Sequence, residues 1–66
     1  MGERIRHARL GAGLTQYELA ERAGISQATV SHIESGRRHP RITTVALMAG
    51  VLGVTPAWLL GHDNDA

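Results

Sequence analysis

The tightest constraint in this chain is the tripeptide Gly24-Ile25-Ser26, where a helix stop and a helix start stand one residue apart. A glycine past the last turn suits the left-handed end of a helix, and serine is among the preferred N-caps. One intervening residue is too little for two helices to fold back side by side, so the flanking pair must cross steeply. Upstream, Thr15-Gln16-Tyr17-Glu18 fits a capping box, with Leu14 and Leu19 placed as its hydrophobic staple. That helix runs through Leu19, Ala20 and Ala23 to Gly24. Downstream, Ser26 opens a helix with Ile25 and Val30 as staple, Val30 and Ile33 facing inward, and Gly36 as its end.

The same punctuation divides the rest of the chain. A first helix spans about Glu3 to Leu10 with Ile5, Ala8 and Arg9 inward, before Gly11 and Gly13. Pro40 breaks the chain, a fourth helix spans about Thr43 to Leu52, and a fifth runs from Pro56 to Leu60 after a Thr55 cap, with Gly53 and Gly61 as stops. With 66 residues and no cysteine, neither a disulfide nor a cysteine-based zinc site can supplement a modest core. Frequent Ala and Leu without strand-type alternation favour helices. The expectation is an all-α, compact five-helix domain over residues 1–61, with 62–66 as a flexible polar tail.

The net charge is only +1, but its distribution says more. All seven basic residues are arginines, and Arg37, Arg38 and Arg41 crowd beside His39, while Asp63 and Asp65 lie in the tail. On charge alone such a run reads as a solvated loop; following directly on the steeply crossed helix pair, it suits a polyanion. An arginine-rich start without an apolar stretch behind it is no signal peptide. The longest apolar stretch, Val45 to Val54, is about half a membrane span. A soluble, intracellular protein is expected. An enzyme is not: His32 and Glu34 diverge by about 200° on a helix, and no nucleophile elbow or phosphate loop occurs. No cofactor and no metal site is implied.

The stretch Leu14 to Gly36, with Gln16, Leu19-Ala20, Gly24, Ser26-Gln27, Val30, Ile33-Glu34 and Gly36 at their spacing, resembles the lambda-repressor-like family of helix-turn-helix regulators, also called the Cro or xenobiotic-response-element family. The likeness continues through Pro40 to Gly53-Val54 and Trp58-Leu59-Leu60. The resemblance implies that helix three, about Ser26 to Ser35, enters the major groove of double-stranded DNA. Residues near the N-terminus of such a helix reach base edges. Gln27 can bond adenine N6 and N7 together, Ala28 can admit a thymine methyl, and Thr29 and His32 complete the base-reading set, His32 one turn beyond Gln27. The alternative for Gln27 and His32 is an ordinary exposed helix residue. Gln16 is where the family places a phosphate contact, and it can also brace Gln27. Ser26, Ser35, Arg37, Arg38 and Arg41 are candidates for the flanking backbone. Arg41 stands where the family usually has a small polar residue, so it is either an added phosphate contact or a changed cap. Tyr17 is open between phosphate bonding and packing. The family's arginine–glutamate pair falls on Arg9 and Glu34, which implies a structural role for both.

Helix four is apolar around more than one face. With Ile42, Val45, Ala49 and Leu52 inward, Leu47 and Val51 fall on the far side. Together with Val54, Pro56, Ala57 and Trp58 they form a candidate homodimer interface; the alternative is that Trp58 fills the core and Leu47 is merely exposed. A two-fold dimer would read a near-palindromic operator, as a repressor in the cytoplasm, at the nucleoid, of a bacterium or its phage. The rival reading is an antitoxin that binds DNA and a partner toxin. The DNA-binding piece of a longer repressor would look the same.

Overall fold

In the computed structural model, which describes residues 1–62, five helices follow one another: α1 (Gly2–Gly11), α2 (Gln16–Ala23), α3 (Gln27–Glu34), α4 (Ile42–Leu52) and α5 (Pro56–Leu59). No strand occurs among the described residues. Of the expected tail, residues 63–66 lie outside them.

Local chemistry sets the element boundaries. The Thr15 hydroxyl accepts from the Glu18 backbone N–H at 3.0 Å, and the Glu18 carboxylate accepts from the Thr15 N–H at 2.8 Å. The capping box is therefore closed in both directions. The Thr15 backbone N–H, with lesser help from its hydroxyl and from Arg22, holds the Glu18 carboxyl below its ordinary value, against a partial desolvation. A lowered folded-state value means the cap contributes above the unfolded carboxylate range and is lost as pH falls through the folded one. At the far end, Gly24 stands at φ 73° and the Ile25 N–H donates to the Ala20 carbonyl at 2.9 Å. This left-handed turn delivers the chain straight to Ser26, whose hydroxyl caps α3 through the Thr29 N–H.

Both helices press their apolar stripes into one core. Leu19, Ala20 and Ala23 of α2 meet Val30 and Ile33 of α3, with Ile5 of α1 and Leu59 of α5. Helix α4 contributes Val45, Met48 and Ala49. Its orientation corrects the expectation from sequence: Ile42 is 65% exposed, Met48 is fully buried, and Val51 packs partly against the core. The helix also begins one residue early, at Ile42. Because this helix is apolar nearly all round, its periodicity does not choose the buried face; packing against α2 and α5 does.

Besides the buried Ile5 and Arg9, two further contacts hold α1. Arg4 donates to the Trp58 carbonyl at 3.0 Å and lays its guanidinium 4.8 Å from the Trp58 ring centroid, joining α1 to α5. At Gly2 the helix passes so close to the end of α3 that a Cβ would stand 2.6 Å from the carbonyl oxygens of both Ile33 and Glu34.

Candidate nucleic-acid interface

The two buried residues of α3, Val30 and Ile33, determine what the helix shows outside. At about 100° per residue the opposite face carries Ala28, Ser31, His32 and Ser35, with Gln27 at one edge. Gln27 and Ala28 are exposed in the first turn, and Ser31 and His32 are half-buried behind them. Three of the base-reading candidates, Gln27, Ala28 and His32, are thus brought onto one surface. Thr29 is turned away from it: its hydroxyl lies 2.8 Å from that of Ser26, and its N–H donates to the same oxygen at 3.1 Å. Ser31 was not singled out from the sequence, although its place four residues after Gln27 puts it on the same face.

A polar cleft borders each edge of this surface. The larger, about 420 Å³, lies beside Ser26 and Thr29 and is completed by Arg38, His39, Arg41 and Thr44. Arg41 is the N-cap residue of α4 but makes no side-chain capping bond, and its exposed side chain lines this cleft. Arg37 is exposed as well, yet it is not part of the cleft lining. The smaller cleft, about 260 Å³, is formed by Arg6, Gln16, Ser31, Glu34 and Ser35. The sequence pointed to Gln16 and Ser35 there and missed Arg6, which sits on a helix with no motif of its own. Ser35 also donates to the His32 carbonyl at 3.2 Å.

Beneath the smaller cleft runs a closed polar network. Arg9 grips Glu34 with two bonds, Nε to Oε2 at 2.6 Å and Nη2 to Oε1 at 3.1 Å, while its Nη1 donates to the Leu14 carbonyl at 2.8 Å. The two side chains are only 9% and 5% exposed. The Gln16 carboxamide donates to Glu34 Oε1 at 3.1 Å, so it is tied to the end of α3 and not to Gln27. Among the described residues Glu34 is the only carboxylate in either cleft, and its charge is spent on Arg9. The start of α2 is therefore fixed beside the outward face of α3, with its first backbone N–H groups available to an anion. Tyr17 is 57% exposed and donates to Glu21 Oε2 at 3.3 Å on the outer side of α2.

Of the residues grouped as a dimer surface, Leu47, Pro56 and Ala57 are exposed, whereas Val51, Val54 and Trp58 are partly buried against the core. Among the described residues no three His, Cys, Asp or Glu side chains gather as metal ligands, and no helix is long and apolar enough to cross a membrane.

Comparison with known proteins places this geometry. A family model, Helix-turn-helix, matches residues 5–59. The immunity repressor protein of Bacillus phage phi105 is 35% identical over 64 residues, covering 97% of this chain and 44% of the repressor, so the chain spans less than half of that relative's length. Two solved structures superpose closely. The biofilm regulator SinR in complex with DNA gives a TM-score of 0.86 at 35% identity, over 89% of this chain and 95% of that one. The P22 c2 repressor bound to a synthetic operator gives 0.88 at 29% identity, over 94% of each chain.

Proposed function

The chain belongs to the helix-turn-helix family, and we propose that it binds double-stranded DNA in a sequence-specific manner as a transcriptional repressor, laying α3 in the major groove. The observation that carries this reading is the outward face of α3, with Gln27 and Ala28 exposed and Ser31 and His32 half-buried, bordered on both edges by polar clefts holding arginines. A major groove about 12 Å wide presents base edges at its floor and a phosphate wall on each side. The relatives named as repressors, and the neighbours solved on DNA, support the same reading.

The roles divide by position. Gln27 is the bidentate reader, worth roughly 1–3 kcal/mol of discrimination at one base pair. Ala28 and His32 face the neighbouring pairs. Ser26, Arg38 and Arg41 grip one backbone, and Gln16 with the α2 N-terminus meets the other; these contacts set register and the salt-sensitive part of the affinity. Two copies related by a two-fold axis would bring two α3 helices to successive grooves roughly 34–36 Å apart. The exposed Leu47 on an uncharged α4 supports that arrangement. Such a regulator works at the nucleoid, in the cytoplasm of a bacterium or in an infected cell.

Selection of sites from a random duplex pool tests the proposal, with wild type and Gln27→Ala compared across a salt series. The expected result is a near-palindromic motif, a steep loss of affinity with salt, and relaxed preference at one base pair per half-site in the variant. Salt-sensitive binding without any enriched motif would overturn sequence reading. Absence of binding would overturn DNA as the partner and turn attention to a protein partner.

A further inference from the structure

We propose that Arg6 on α1 is a DNA-backbone contact, holding a phosphate in the small cleft with Gln16 and Ser31; the inference rests on the DNA-binding reading above. The cleft draws donors from three helices: a guanidinium from α1, a carboxamide from the first residue of α2, and the Ser31 hydroxyl from α3, while Ser35 at the α3 C-cap lines it with its hydroxyl donated to the His32 carbonyl. Burial of Ile5 and Arg9 fixes the roll of α1 and leaves Arg6 exposed at the cleft.

Charge decides what the cleft takes. Its one acid, Glu34, is almost fully buried, with Oε2 held by Arg9 and Oε1 shared between Arg9 and Gln16. Arg6 forms no ion pair with the described carboxylates. An unpaired guanidinium over a neutralised carboxylate, with hydroxyl and amide donors around it, favours a tetrahedral oxyanion. Position then decides which oxyanion. This cleft lies at the Gln27–Ser31 edge of the recognition face, and the arginine loop lies at the Thr29 edge. One wall of the groove would meet Arg38 and Arg41. Without Arg6 the other wall would meet only neutral side-chain donors, so Arg6 supplies the charge on that side.

The test measures binding of a labelled duplex of mixed sequence between about 50 and 200 mM salt, for wild type, Arg6→Ala, Arg6→Lys and Arg22→Ala. Arg22 is exposed in the last turn of α2, outside the lining of this cleft, and serves as the charge control. Loss of one phosphate contact lowers the slope of log affinity against log salt by about one. The expected result is that fall for Arg6→Ala, its recovery in Arg6→Lys, an unchanged slope for Arg22→Ala, and an unchanged selected motif for all three. Circular dichroism confirms that each variant folds. Wild-type slope in Arg6→Ala, or an equal fall in Arg22→Ala, overturns the Arg6 site while leaving the DNA-binding reading intact. A wild type with no salt-dependent binding overturns that reading itself, and Arg6 with it.

Discussion

At the scale of single residues, Arg9 shows how structure and recognition are divided in so small a domain. It spends three nitrogens on Glu34 and Leu14, almost out of solvent, and reaches from α1 to the end of α3 and the start of α2. Removing one partner strands a buried charge, which costs about 3–5 kcal/mol. Arg9→Ala is therefore expected to lower the urea midpoint sharply, by that order, with base preference unchanged in whatever fraction stays folded. A variant with wild-type stability but altered base preference would instead place Arg9 in recognition. Replacing both partners with apolar residues of similar volume should recover part of the loss, since the cost lies in the orphaned charge and not in the missing pair.

At the scale of elements, the legible features are those whose physics is local. The Thr15–Glu18 box, the Ser26 cap and the Gly24 turn each need only a few neighbouring residues, and the sequence identifies them correctly. What it hid depends on distant contacts. Ile42 points outward because α4 is apolar on several sides and only the packing of Met48 selects its roll. Arg6 and Ser31 come to line one cleft only when α1, α2 and α3 converge. Gly2 looks like an ordinary terminal glycine until α3 is seen 2.6 Å from its missing Cβ. That contact sets two glycines in opposite senses. Helix propensity favours alanine over glycine by about 1 kcal/mol in a helix interior. Gly50, exposed in the last turn of α4 with open space around its Cβ position, should accept alanine and gain roughly 0.5–1 kcal/mol. Gly2→Ala should instead lose about 1–3 kcal/mol, because backbone carbonyls cannot move aside as a flexible side chain would. Denaturation of the two variants side by side checks the pair; stabilisation by Gly2→Ala would mean that α1 shifts away from α3 at little cost.

At the scale of the whole molecule, α4 has two sides, one a wall of the core and the other open to solvent. Its eleven residues carry no charge, Val45, Met48 and Ala49 face inward, and Ile42 and Leu47 remain 65% and 51% exposed. Leu47 is the sharper probe, since its outward side chain takes little part in the fold and a charge there should leave stability within about 0.5 kcal/mol. Leu47→Glu would set two carboxylates against each other across a two-fold interface, where each residue meets its own counterpart or a near neighbour. The expected outcome is a shift from dimer to monomer in sedimentation equilibrium, with the thermal midpoint of the fold nearly unchanged at matched dilution. On DNA the consequence should appear only where both half-sites are present. A duplex with two half-sites about one helical turn apart should lose its affinity advantage, while a single half-site should bind as before. If Leu47→Glu stays dimeric and retains that advantage, the second copy must meet this chain elsewhere, and the exposed apolar side of α4 has another occupant.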